Sequence, residues 1–199
     1  MSSAITVRLS AGRSYCSGVL ISPDLQAAAA TRTDLVLSCA HFLRGRTGPI
    51  KVGRAHVLGA VRIPRTDLAV LRLDTPAPPA DLLRLSTSRA PWLAPTRTEG
   101  FGGGSRRVQQ RHGRVIAHLP FALGRNLRTL VTSATILHNR SKAIKGDSGG
   151  PVIVDEEIVA VQALISDPFG YNLGIATVAQ VAAHREKIAA AVAALQRAY

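Results

Sequence analysis

Gly146-Asp147-Ser148-Gly149-Gly150-Pro151 sets one serine among three glycines in front of a proline. A serine hydroxyl is a poor nucleophile until a neighbouring base removes its proton. It also needs hydrogen-bond donors aimed at the oxyanion that forms during attack. Small residues on both sides of Ser148 let the backbone turn sharply, so the N–H groups of Gly146 and Ser148 can converge on one point. Alone, a glycine-rich hexapeptide is equally well a tight turn. A base and a group to orient it must therefore come from elsewhere in the chain.

Ser38-Cys39-Ala40-His41 follows the apolar run Leu35-Val36-Leu37 and puts a histidine at a strand end. Thr66-Asp67-Leu68-Ala69-Val70-Leu71 puts a carboxylate at the start of a buried strand. Singly, such a histidine is usually structural and such an aspartate a turn or cap residue. Together, in the order His, Asp, Ser, they are far more specific. The order and the flanking residues resemble the trypsin/chymotrypsin family, in its short bacterial-type members. Tyr15-Cys16-Ser17-Gly18-Val19-Leu20-Ile21-Ser22 resembles the strand before the family's histidine. Glu99-Gly100-Phe101-Gly102-Gly103 resembles its glycine–aromatic–glycine segment.

The resemblance spans nearly the whole chain. It implies an all-β fold of two packed six-stranded antiparallel β-barrels (chymotrypsin-like) with a C-terminal α-helix. It also implies a serine endopeptidase acting on protein or peptide substrates through an acyl-enzyme, with no metal or organic cofactor. Ser148 is then the nucleophile, His41 the general base and later the acid, and Asp67 the group that holds the imidazole. The N–H groups of Gly146 and Ser148 form the oxyanion hole. The alternative on the same fold is a catalytically silent binding or scaffold domain. Retention of all three triad positions favours the enzyme.

Strand-like runs agree with this architecture. Ile5–Leu9, Tyr15–Ile21, Leu35–Leu37 and Asp67–Leu73 fall in the first half, and Arg114–Leu119, Thr129–Thr135, Pro151–Val154 and Ile158–Leu164 in the second. Asp24–Thr33 reads as an inserted loop or one helical turn. Five prolines between Thr75 and Pro95 mark a connection between strand-rich halves, because proline removes ladder donors. Val178, Val181, Ile188, Val192 and Leu195 fall on one face at helical spacing, so Thr177–Tyr199 reads as an amphipathic helix. The expected units are residues 1–75 with His41 and Asp67, a linker 76–95, residues 96–176 with Ser148, and a helix 177–199.

Three departures from the family pattern carry consequences. Many members bridge the cysteine at the place of Cys16 to one directly after the catalytic histidine; that place is Phe42 here, and Cys39 lies before His41. Two buried free thiols are expected. Ile5–Leu9 already resembles the first strand, so no zymogen-type N-terminal arm is expected to reach Asp147, which needs another partner or solvent. Control would then fall to a regulatory protein partner, an effector or a missing segment. Thirdly, Lys142 stands where members with a basic preference keep an aspartate. Facing inward, it attracts an acidic residue before the cut bond; facing outward, it leaves small or apolar residues preferred. Lys145 adds positive potential at the rim. Gln162-Ala163-Leu164 aligns with the segment that pairs with the substrate backbone, and Gly174 with the glycine of the far pocket wall.

Composition bounds the remaining classes. In 199 residues, 46% hydrophobic and 19% charged content supports a packed core and excludes a disordered chain. No apolar run reaches membrane-span length. Met1-Ser2-Ser3-Ala4 lacks the basic and apolar segments of a secretory signal, which with the missing bridge points to the cytoplasm or to a trimmed longer chain. The formal charge of +13 is concentrated in Arg97–Arg128, where seven arginines face the single Glu99. No aromatic platform is interleaved with them, so nucleic acid is the weaker reading and a solvated basic surface the stronger.

Overall fold

The computed structural model describes residues 5–45, 48–124, 127–165 and 172–199. The first half contains β1 (Thr6–Ala11), β2 (Ser14–Leu20), β3 (Ala28–Thr31), β4 (Leu35–Cys39), β5 (Lys51–Val52), β6 (Ala55–Arg62) and β7 (Leu68–Leu73). Six of these close into an antiparallel barrel in the order β1-β2-β4-β7-β6-β5. Its innermost strands are the apolar runs of the sequence. All five residues of β4, Leu35-Val36-Leu37-Ser38-Cys39, are buried, as are all but Arg72 of β7. Fully burying one such aliphatic side chain contributes roughly 1.5–3 kcal/mol, so these two strands anchor the half of the molecule that carries His41 and Asp67.

The second half contains β9 (Pro95–Gly100), β10 (Gln109–Leu123), β11 (Leu130–Asn139), β12 (Pro151–Val154), β13 (Glu157–Ile165) and β14 (Ile175–Gln180). It closes as β10-β11-β14-β13-β12-β9. The expected pair of six-stranded antiparallel barrels is thus present. Between them the proline-punctuated connection carries β8 (Ala80–Leu82), which pairs with β3 outside both barrels.

Two elements differ from the sequence expectation. Asp24–Thr33, expected as a loop or helical turn, contains β3, whose alanines gain a ladder partner only from β8, far along the chain. The C-terminal helix α1 covers Arg185–Ala198 and does not begin at Thr177. Thr177–Gln180 belong to β14, the strand lying between β11 and β13. Ile188, Ala191, Val192 and Leu195 are the buried face of α1, which packs against β6 and β7.

Polar contacts between the barrels complement this packing. The fully buried Glu99 accepts a 2.6 Å hydrogen bond from Thr6 Oγ1 and a 3.2 Å bond from Gln110 Nε2, with Arg97 Nε at 3.3 Å. A carboxylate removed from water without such partners would be strongly destabilising.

Candidate active site

His41 follows β4 in a short 3-10 turn, Ala40–Leu43, and Asp67 immediately precedes β7, the strand paired with β4. The pairing of these two strands therefore brings both residues to one edge of the first barrel. Ala40 N–H donates to the Asp67 carbonyl at 2.9 Å, extending the ladder by one step. The Asp67 side chain is fully buried; Oδ1 accepts from His41 N–H at 2.8 Å and Oδ2 lies 2.6 Å from His41 Nδ1. Thr66 Oγ1 donates to the Ile63 carbonyl and accepts from Leu68 N–H, fixing the turn that aims Asp67.

Burial opposes the His41 imidazolium, but contacts with Cys39 and the Asp67 carboxylate outweigh it and raise the imidazole above its ordinary 6.5. Burial pushes the Cys39 thiol well above its ordinary 9.0. Near neutrality that thiol is uncharged, so Asp67 is the anion that sustains the cation there. His41 Nε2 lies 3.7 Å from Cys39 Sγ. Cys16 and Cys39 are both buried and free.

Ser148 stands on a loop of the second barrel, held by the first. Ser17 on β2 donates from N–H to the Ser148 carbonyl at 2.8 Å and from Oγ to the Gly146 carbonyl at 2.7 Å, while accepting at Oγ from Phe101 N–H at 2.9 Å. Ser38 Oγ in turn donates to the Ser17 carbonyl at 2.6 Å. The loop has no room for side chains. Gly149 sits at φ +85°, where a Cβ would strike the Ser17 carbonyl, and a Cβ on Gly146, at φ +106°, would strike the Tyr15 ring. On the other barrel, Gly149 N–H donates to the Gln162 carbonyl at 2.7 Å and Gln162 N–H to the Gly150 carbonyl at 2.9 Å. Among the described residues, the N–H groups of Gly146 and Ser148 have no protein acceptor. They are available to an oxyanion.

Asp147 is fully buried. Its carboxylate accepts from Gly102 N–H at 2.8 Å, Ile144 N–H at 2.9 Å and Arg111 Nε at 3.2 Å. Arg111, counted in the sequence among the arginines of a solvated surface, is instead the cation for the loop that carries Asp147 and Ser148, with its side chain only 14% exposed. Ser17 likewise stood in a quoted motif without a role. The signal for Arg111 was the unmet need of Asp147; its position on β10, opposite Thr98 of β9, emerges only from the barrel pairing.

His41, Phe42, Tyr15, Lys145, Gly146 and Ser148 share one open cleft of about 350 Å³. Among the described residues Ser148 Oγ has no hydrogen-bond partner; hydrogen bonds between a nucleophile and its base are often long before substrate binds. Gln162 is buried, its Nε2 donating to the Leu164 carbonyl at 2.9 Å across a bulge that isolates Ala163 from the β13–β14 ladder. Lys142 is exposed, and its stem passes Gly174, which takes a φ of +74°. Among the described residues, no three His, Cys, Asp or Glu side chains are grouped to hold a metal ion.

A family model described as a trypsin-like peptidase domain matches residues 16–161. The fold is similar to that of the M. tuberculosis protease Rv3671c in an inactive mutant form, with TM-score 0.71, 17% identity, and coverage of 95% of this chain and 87% of the other. Kallikrein-related peptidase 10, in complex with Zn2+, superposes at TM-score 0.67 with 20% identity, covering 92% of this chain and 93% of the other. The protease domain of MamO from Magnetospirillum magneticum gives 0.66 and 17%, covering 92% and 95%. At these identities the likeness establishes the fold. No curated protein matches the chain.

Proposed function

Because the chain belongs to the trypsin-like peptidase domain family, we propose that it is a serine endopeptidase using His41, Asp67 and Ser148. The observation that carries this reading is the 2.6 Å contact between His41 Nδ1 and buried Asp67, with His41 and Ser148 opening into one cleft. Asp67 holds the imidazole with its proton on Nδ1, leaving Nε2 to take the proton of Ser148 Oγ as it attacks the scissile carbonyl. The tetrahedral oxyanion is received by the N–H groups of Gly146 and Ser148, which have no other acceptor to give up among the described residues. The imidazolium then protonates the departing amine, and water hydrolyses the acyl-Ser148 ester by the same route in reverse.

Gln162–Leu164, tied to the nucleophile loop through Gly149 and Gly150, pair with the substrate backbone. The exposed ammonium of Lys142 beside Gly174 disfavours a basic residue before the cut bond.

A fluorophosphonate probe should label the wild-type protein at Ser148 and not the Ser148→Ala variant. Turnover of a cleaved peptide should fall on the order of 10⁶-fold in Ser148→Ala and nearly as far in His41→Ala, because the triad acts as a unit. Wild-type cleavage by purified Ser148→Ala protein would refute the assignment. Absence of both labelling and cleavage in the wild type would favour the catalytically silent scaffold.

A further inference from the structure

The cleft that holds Ser148 and His41 carries charge of one sign. Arg13, in the turn between β1 and β2, and Lys145, directly before Gly146, both line it, and among the described residues no carboxylate does. Both are exposed, and among the described residues neither forms an ion pair. Tyr15 lies in the same wall, and the Arg8 guanidinium stacks over its ring at 4.4 Å from the centroid. Among the described residues, Arg8 Nε is buried with no hydrogen-bond partner. The two nearest acids are committed elsewhere: Asp67 to His41, and Asp147 to Gly102, Ile144 and Arg111.

The cleft also has a direction. Gln162, Ala163, Leu164, Lys142 and Gly174 contribute nothing to its lining, whereas His41 and Phe42 do. With the acyl half of a substrate on Gln162–Leu164, the half that departs must lie beside His41, which hands it a proton. That half occupies the cleft with Arg13 and Lys145.

We propose that this cleft selects peptides carrying aspartate or glutamate within the first residues on the leaving-group side of the cut bond, held by Arg13 and Lys145. The proposal rests on the peptidase reading and supplies its substrate class. Each cation is solvated in the free protein and partly desolvated by bound peptide, so its pairing with a carboxylate is worth about fivefold at low salt and less as salt rises.

The test uses matched internally quenched peptides with glutamate or glutamine at the residue before the cut bond and at each of the first three positions after it. The readout is the Glu/Gln ratio of kcat/KM. It should reach roughly fivefold at one of the positions after the cut bond in the wild type at low salt and fall with added salt. It should approach one in an Arg13→Gln/Lys145→Gln protein and persist in Arg89→Gln, an exposed arginine outside the cleft. In parallel, binding of the same peptides to Ser148→Ala protein is measured by fluorescence anisotropy.

Cleavage with a ratio near one would overturn the selectivity and leave the peptidase reading intact. An acid preference confined to the residue before the cut bond would overturn it too, and would pass the role to Lys142. Acid-selective binding without cleavage by the wild type, abolished by the paired substitutions, would uphold the anionic cleft and overturn the peptidase. Neither binding nor cleavage would overturn both.

Discussion

The His41 imidazole is bonded on Nδ1 to a carboxylate and flanked on Nε2 by a thiol. Its raised pKa fixes two signs. The protonated His41–Asp67 pair stabilises the fold fully below the unfolded value near 6.5, and that contribution is lost as pH climbs through the folded value. Attack by Ser148 requires the neutral imidazole, so activity rises over the same interval. The acid limb of kcat/KM should therefore lie above 6.5. Cys39→Ala removes the thiol beside Nε2, a weak hydrogen-bond partner for its proton, and should move that limb down. The pH dependence of fluorophosphonate inactivation measures this without a substrate; an unmoved limb in Cys39→Ala would show that the thiol has no part in it. Thiol titration in denaturant without reductant should find two thiols per chain, matching the free Cys16 and Cys39.

At the scale of elements, β2 presents Ser17 to the other barrel, where one side chain and its own N–H tie down Gly146, Ser148 and Phe101. Ser17→Ala leaves two of these contacts without their hydroxyl partner. It should cost about 1–3 kcal/mol in denaturant unfolding and lower kcat more than it raises KM, because the loop it releases carries the oxyanion donors. Leu195→Ala on α1, remote from the cleft, should cost about 2–4 kcal/mol and leave kcat/KM unchanged. Together the two variants separate loop positioning from general destabilisation. The apolar runs behind β2, β4, β7, β12 and β13 were legible in the sequence because these strands are buried on nearly every residue. The strand β6 was not: its alternation of half-buried and exposed residues rests on Ala55, Val57, Gly59 and Val61, too weakly apolar to stand out. The join between β14 and α1 was misread for a physical reason. Val178 and Val181 precede Ile188 at intervals that fit a helical stripe, although Val178 lies in a strand and only Ile188 onward in the helix. Spacing alone does not reveal that Val178 belongs to a different buried cluster from Val181, Ile188, Val192 and Leu195.

At the scale of the molecule, the two barrels meet across a loop whose own charge is neutralised from within. The proposed triad positions were readable because each stands in a local motif. The partner of Asp147 was not, since Arg111 reaches it only after β9, β10 and β12 have closed the second barrel. All three described partners of the Asp147 carboxylate are internal: two backbone N–H groups and one guanidinium. Residues added before Met1 should accordingly leave kcat/KM unchanged. The stronger test breaks the pair itself. Arg111→Met leaves a fully buried carboxylate with two hydrogen bonds and no cation. Removing one partner of a buried pair typically costs about 3–5 kcal/mol, and the surviving N–H donors place this case at the lower end. The orphaned charge would draw in water or a solvent proton, shifting the peptide that aims Gly146, so activity should fall further than stability. Asp147→Asn on the Arg111→Met background removes the charge while keeping an amide oxygen as acceptor for one of the two N–H groups, Gly102 or Ile144, which bind different oxygens of the carboxylate. The double variant should be more stable than Arg111→Met alone, with a coupling of about 2 kcal/mol or more in a double-mutant cycle. Strictly additive effects would mean that Arg111 does not neutralise Asp147, and that the nucleophile loop is ordered by its backbone hydrogen bonds alone.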